Sequence, residues 1–424
     1  MTATFAELNL LPSLVASLTA MDRHTPTEIQ AAAIPELLSG RSVVGIAETG
    51  SGKTLAYGLP TLQICKTLET EGAPVEAEGQ PRAVILVPTR ELGEQVTRVL
   101  KALSHETRVR VRSALGGTTA EIARRNVAGA FEILVATPGR LLKQLDARLI
   151  RLSDVRLLVL DEVDQMLDMG FLPDVQRVVA GCPSRRQLAL FSATVASRVE
   201  GLIKALFGPS PKIIRTRGSH REVATLKTVN RTVLNGDRLT PLLAALAEES
   251  VGGTLLFVNT REQCDQVAGL LMDAGHRVSV YRGEMDKIER RANLEAFRKG
   301  ETALLITTDL GSRGLDLPLV GRVINVHLCT ERKNYLHRVG RTARAGRAGV
   351  VINLVTERDR ALMERLAGGG AKDTPDLKPG KPGKPKPLGK PRVKPGQAAG
   401  EKARKGDRRG EQKTAPKAKD PRRW

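Results

Sequence analysis

Aromatic residues are scarce in this 424-residue chain: one Trp, three Tyr and seven Phe make up 3% of it. Its cores must be built from Leu, Val, Ile and Ala, and aromatic platforms for stacking bases are few. Cysteine is as thin. Cys65, Cys182, Cys264 and Cys329 stand far apart with no C-x-x-C pair and no His at ligand spacing, which argues against structural zinc and for a reduced protein. No run of about eighteen uncharged apolar residues occurs, and residues 1–11 lack a basic region leading into an apolar stretch. Membrane insertion and export are therefore not expected, and a cytoplasmic location is. Acidic residues are outnumbered, 46 Asp and Glu against 67 Lys and Arg, for a net charge of +21. That balance predicts a polyanionic partner, most commonly nucleic acid.

What is present is enough chain for two domains, each able to bury its own core. Short apolar runs at 42–47, 83–87, 132–136, 157–160 and 188–191 alternate with amphipathic segments of helical length, such as 91–103 and 120–128. The pattern reads as parallel α/β. It recurs with expected strands at 254–258, 277–280, 303–307, 322–326 and 350–354. The expected boundaries are a first domain over 1–208, a linker over 209–226, a second domain over 227–367 and a tail over 368–424. The tail carries 18 Lys and Arg against 6 Asp and Glu, with nine of the 23 prolines. Such a composition cannot bury enough apolar surface to fold, so a disordered basic tail is expected.

The strongest local signal is Ala47-Glu-Thr-Gly-Ser-Gly-Lys-Thr54, set between an apolar strand and a helical run. Glycines there let backbone N–H groups point at phosphate oxygens, Lys53 reaches the terminal phosphates, and the Thr54 hydroxyl can ligate magnesium. Ala47 stands where the general pattern has Gly. Asp161-Glu162 closes another expected strand. A carboxylate in that place would hold magnesium, and its neighbour would orient or deprotonate an attacking water. Alone, an acidic pair after a strand is usually a solvated strand end. With the glycine loop it becomes the second half of a nucleotide hydrolysis site.

These residues resemble the DEAD-box RNA helicases, through ordered motifs from Phe5 to Val355. The resemblance implies two tandem RecA-like domains, each a parallel sheet flanked by helices, with ATP and Mg2+ bound in the cleft between them. Pro26-Thr-Glu-Ile-Gln30 with Phe5 upstream is similar to the family's adenine-recognising Q motif, so Phe5, Thr27 and Gln30 join Ala47, Thr49, Gly50, Ser51, Gly52, Lys53 and Thr54 as ATP-site residues. Asp161-Glu-Val-Asp164 matches the namesake tetrapeptide except at Val163, and Ser192-Ala-Thr194 resembles the motif that couples hydrolysis to unwinding. Asp164, Ser192, Thr194 and His337 are the coupling residues so implied.

Pro88-Thr-Arg90, Gly116-Gly117 and Thr137-Pro-Gly-Arg140 carry amides, hydroxyls and arginines suited to phosphate and ribose contact rather than base readout. By resemblance they line RNA, together with Thr260, Gly283, Arg290, Thr308 and Gly311. In the second domain the resemblance places Gly314 and Asp316 in the ATP pocket and makes Arg341 and Arg344 arginine fingers. Four further positions depart from the family pattern: Arg282 and Lys287 replace a His and a Gln, Ala343 replaces a Gly, and Asp22 replaces another Gly.

The function so implied is RNA-dependent ATP hydrolysis with local unwinding of short duplexes or remodelling of ribonucleoprotein. Sequence-nonspecific RNA, ribonucleoprotein or ribosomal precursors are the partners, and the core is monomeric. The alternatives are an ATP-latched RNA clamp with little unwinding, and a DNA-translocating helicase of another branch.

Overall fold

The computed structural model describes residues 4–366, apart from 49, 118, 196, 209–210, 217–225, 313–316, 318–319 and 344–347. Thr49, Gly314, Asp316, Arg344 and the tail over 368–424 lie outside the described residues.

The first half builds β1 (Val43–Ile46), β2 (Ala83–Leu86), β3 (Val111–Ala114), β4 (Ile133–Ala136), β5 (Leu157–Leu160), β6 (Gln187–Ser192) and β7 (Lys212–Arg215). They form one sheet in the order β3-β4-β2-β5-β6-β1-β7, with every neighbouring pair parallel. The second half builds β8 (Leu226–Thr232), β9 (Gly253–Val258), β10 (Val278–Tyr281), β11 (Leu304–Thr308), β12 (Val320–Asn325) and β13 (Gly349–Val355). Their order is β10-β11-β9-β12-β13-β8, again all parallel. With β8 matched to β1, β9 to β2 and the rest in turn, the two orders coincide. Among the described strands, only β7 has no counterpart.

Strands buried on both faces need apolar residues at every position, which is why they read as continuous runs. Alternate side chains go to opposite faces: Val43, Ile85, Val135 and Val159 join one apolar cluster, and Val44, Val84, Leu134 and Leu158 join another. Helices cover each face. Arg90–Leu103, for example, is started by Thr89, whose hydroxyl accepts from Leu92 N, and it buries Leu92, Val96, Leu100 and Leu103 at helical spacing. The second sheet separates Leu256, Ile306 and Ile324 from Leu255, Leu305 and Val323 in the same way. No described helix is long and apolar enough to cross a membrane.

The structure departs from the sequence expectation at three strands. β7 falls inside the segment expected to be a linker and adds to the first sheet through β1. β3 and β8 were not expected as strands. All three lie at sheet edges, where one side faces solvent and the apolar run is broken.

Candidate functional site

In parallel α/β sheets, ligands collect beyond the carboxyl ends of the strands. Here those ends divide into two groups. The glycine loop comes after β1, Asp161-Glu162 after β5, and Ser192-Ala-Thr194 ends β6; these three strands are neighbours. The segments expected to line RNA come after β2, β3 and β4, the other block of neighbours.

The phosphate loop is held from behind. Gly52 has φ +93° and caps the helix Lys53–Thr70, and a Cβ there would meet Gln30 Nε2 at 2.3 Å. That approach exists because Gln30 Nε2 donates to Gly52 O at 3.0 Å, while Gln30 Oε1 accepts from Thr27 N at 2.9 Å. Gln30 thus ties the expected adenine segment to the expected phosphate loop. Gly50 is also left-handed, at φ +87°. Lys53 is buried, and its Nζ donates to Ala47 O at 2.7 Å and Glu48 O at 3.0 Å, two carbonyls of its own loop. Ser51 and Thr54 sit beside it, both partly buried. Phe5 is 3% exposed and packs in the core with Leu8 and Leu14. The core position accounts for its burial.

Beyond β5, Asp161 is buried and accepts from Tyr57 Oη at 2.7 Å and from Glu162 N at 2.9 Å. Burial raises its pKa, and Lys53 opposes that rise. Glu162 has φ +49°, a left-handed backbone uncommon outside Gly and characteristic of functional sites. Desolvation, then repulsion from Asp161, pushes its carboxyl up to about 7, with Lys53 and Arg341 pulling the other way. Val163 is buried among Val44, Leu86 and Leu160, so the larger side chain is absorbed by packing. Asp164 is buried and accepts from the N and Oγ1 of Thr194, at 3.2 and 2.9 Å, and Ser192 Oγ donates to Thr194 O at 2.7 Å. The DEVD segment and the SAT segment are therefore one hydrogen-bonded unit.

On the other block, Thr89 and Thr137 each precede a helix, Arg90–Leu103 and Pro138–Asp146, and Pro138 occupies the first helical turn. Arg90 donates to Glu94 at 2.7 Å and to Gly117 O at 3.4 Å, joining the first two expected RNA segments. Pro88 begins this arrangement shortly after β2. Gly116, Gly139 and Arg140 are partly exposed. In the second half, Thr260 caps Arg261–Asp273, and Thr308 Oγ1 accepts from Gly311 N at 3.2 Å. Gly283 has open space where a Cβ would go. Arg290 Nη2 donates to Glu91 at 2.6 Å, across the two halves, and the guanidinium lies 5.4 Å from the Tyr281 ring centroid. Arg282 is paired with Asp265 at 3.0 Å.

His337 lies in the helix Arg332–Val339, and Arg341 comes just after it, 5% exposed, with its charge acting on Glu162 of the first half. The residue beneath them is Arg338, which sequence reasoning passed over. It is 1% exposed and stands over the Phe257 ring. Its guanidinium donates to both oxygens of Asp309 at 2.5 and 2.8 Å, to Asn259 Oδ1 at 2.8 Å, to Asn325 Oδ1 at 3.2 Å and to His327 O at 2.6 Å. Every donor direction of a buried guanidinium is answered, as its burial requires. Tyr57 was also passed over. A lone phenol one turn after Lys53 in an apolar helix was the available signal. Two departures from the family pattern have a backbone meaning: Asp22 and Ala343 have φ +54° and +53°. Glycine suits both positions; Asp tolerates that region better than Ala, for which the cost is about 1 kcal/mol.

Comparison with known proteins agrees in order and extent. The DEAD/DEAH box helicase family model matches residues 27–202, and the helicase conserved C-terminal domain model matches 237–346. The ATP-dependent RNA helicase RhlB of Actinobacillus succinogenes is 34% identical over 83% of this chain and 85% of its own. The RNA helicase CrhR of Synechocystis is 34% identical over 86% and 72%, and the ATP-dependent rRNA helicase RRP3 of Candida glabrata is 35% identical over the same shares. Among solved structures, Saccharomyces cerevisiae Dbp5 bound to RNA and ADP BeF3 superposes with a TM-score of 0.74 at 29% identity, covering 86% of this chain and 93% of that one. Matched in both halves, and along most of a bacterial relative, the chain belongs to the DEAD-box family of ATP-dependent RNA helicases.

Proposed function

We propose that this RNA-dependent ATPase hydrolyses ATP where its two halves meet and uses the cycle to separate short RNA duplexes locally or to remodel ribonucleoprotein. The observation that carries the reading is the position of Arg341, a buried cation of the second half whose charge acts on Glu162 of the first. Glu162 would orient and deprotonate the attacking water, and Lys53 would leave its two loop carbonyls for the phosphates. Arg341 would meet the charge that develops in the transition state, with Arg344 assigned the same role by resemblance. Gln30 and Thr27 would read adenine, with Asp316 and Gly314 completing the pocket.

The oxygen donors of Asp161 and Thr54 suit Mg2+, which favours hard ligands and keeps part of its shell for water and phosphate. When bound, the cation would neutralise phosphate charge. The segments after β2, β3, β4, β9, β10 and β11 would hold the RNA backbone without reading bases, and the 2′-hydroxyl would favour RNA over DNA. The presence of rRNA helicases among the relatives supports ribosomal precursors as substrates. The basic tail would add salt-sensitive affinity.

Steady-state ATP hydrolysis without nucleic acid, with RNA and with DNA tests this reading, with Glu162→Gln as control. Strong stimulation by RNA alone, reduced at least a hundredfold in the control, is expected. Equal stimulation by DNA would overturn the RNA selectivity, and binding without turnover would favour the clamp.

A further inference from the structure

We propose that Tyr57 is a positioning residue for the divalent cation: its hydroxyl fixes the Asp161 carboxylate in the orientation that accepts Mg2+. The proposal rests on the cation reading given above for Asp161 and Thr54. Tyr57 lies one turn after Lys53 on the helix Lys53–Thr70 and is fully buried. Its hydroxyl donates to Asp161 Oδ2 at 2.7 Å, and the backbone N–H of Glu162 donates to Oδ1 at 2.9 Å. Each carboxylate oxygen thus has one fixed donor, which stops the group rotating and leaves a lone pair on each oxygen for another partner. Thr54 lies three residues before Tyr57, on the same helical face.

The ring's aim is set by packing. Tyr57 and Phe191 have ring centroids 5.3 Å apart at 53°, and Phe191 in turn lies so close to Gly45 that a Cβ there would come within 2.5 Å of it. The competing account is that Tyr57 is an ordinary core residue whose buried hydroxyl had to find some acceptor. The two accounts differ in what removal of the oxygen does. A Phe at this position fills the same core, so packing survives; what is lost is one of the two donors that orient Asp161.

The test is Tyr57→Phe in the full-length protein, read by thermal unfolding and by binding of a fluorescent ADP analogue across a Mg2+ titration and in EDTA. The expected result is an unchanged affinity in EDTA and a half-saturating Mg2+ concentration raised about tenfold, the scale of outer-shell changes at metal sites. In an Asp161→Asn background, Tyr57→Phe should add no further shift. An unchanged Mg2+ dependence overturns the proposal while leaving the ATPase reading intact, and so does an equal loss of affinity with and without Mg2+. A Tyr57→Phe chain that does not fold overturns it as well, because the hydroxyl would then belong to the core rather than to the site. If nucleotide binding by the unsubstituted protein ignores Mg2+, the cation reading fails and takes this proposal with it.

Discussion

β1 and β8 occupy matching places in two sheets of the same strand order, yet the segments they lead into differ. After β1 comes the glycine loop with Lys53 at the head of an 18-residue helix. After β8 comes a short turn in which Asp237 accepts from the N–H groups of Leu239 and Thr240 and simply starts the next helix. The matched strands β5 and β12 diverge too: one ends in Asp161 and Glu162, the other leads to the helix that carries Arg338 and then Arg341. The fold has been used twice, but the glycine loop with Lys53 and the acidic pair are on the first half alone, and Arg341 is on the second. On three other pairs the halves agree: β2, β3 and β4 and their matches β9, β10 and β11 all lead into segments expected at RNA. On the function proposed above, the carboxylates come from one half and the transition-state guanidinium from the other, so turnover would need both halves together.

The sharpest way to break this comparison is at Arg341. Arg341→Ala should lower the RNA-stimulated kcat by about a thousandfold, the scale of a lost arginine finger, with little change in nucleotide affinity measured without RNA. A comparable rate would mean that Arg341 supplies no charge to the transition state.

A second test concerns what Arg341 does to its neighbour. Glu162 is raised to about 7 by desolvation and by Asp161, and it can serve as a base only when ionised. Turnover should therefore fall as pH drops through about 7, approaching tenfold per unit on the acid side, with the apparent value belonging to the Asp161–Glu162 pair. Because Arg341 favours the carboxylate form, the residual activity of Arg341→Ala should show its acid limb moved upward. A pH profile that is flat from about 6 to 8 would show that ionisation of Glu162 does not limit turnover, and a limb that stays put in the variant would separate the two halves electrostatically.

Arg338 offers a smaller and different effect, on folding. Arg338→Met fills the space but leaves Asp309, Asn259 and Asn325 without their shared donor, and Asp309 keeps some access to water. A loss of about 3 kcal/mol in denaturant unfolding is expected, from the usual cost of breaking a buried ion pair. No loss would show that the second half can stand without this polar network.

How much of this could be read beforehand depended on where a residue sits. Central strands such as β2 and β5 are apolar at every position, and their runs were legible. β3, β7 and β8 are sheet edges; Val111-Arg-Ser-Ala114 is buried only at its ends, so no run marks it. The catalytic candidates were legible because their spacing is local: Lys53 in its loop, Asp161-Glu162 at a strand end. Tyr57 and Arg338 were not, since their meaning lies in partners far along the chain, Asp161 for one and Asn259 for the other. Arg290 was assigned to RNA by resemblance, and its ion pair with Glu91, 199 residues away, could not be anticipated.

That pair is the smallest of the expected effects and the most discriminating. Glu91 and Arg290 are each about a quarter exposed, so the contact contributes on the order of 0.5–1 kcal/mol, a few-fold in affinity. Two readings predict opposite signs for Glu91→Gln. If the pair helps hold the halves together, RNA binding in the presence of a nonhydrolysable ATP analogue should weaken two- to fivefold, while binding without nucleotide should not change, since the coupling exists only when both ligands favour the closed arrangement. If Arg290 instead serves RNA directly, removing the neighbouring negative charge should leave binding equal or tighter under both conditions. Fluorescence anisotropy of a short labelled RNA, with and without the analogue, reads the difference, and exchanging the charges with Glu91→Arg and Arg290→Glu together should restore the loss only under the first reading.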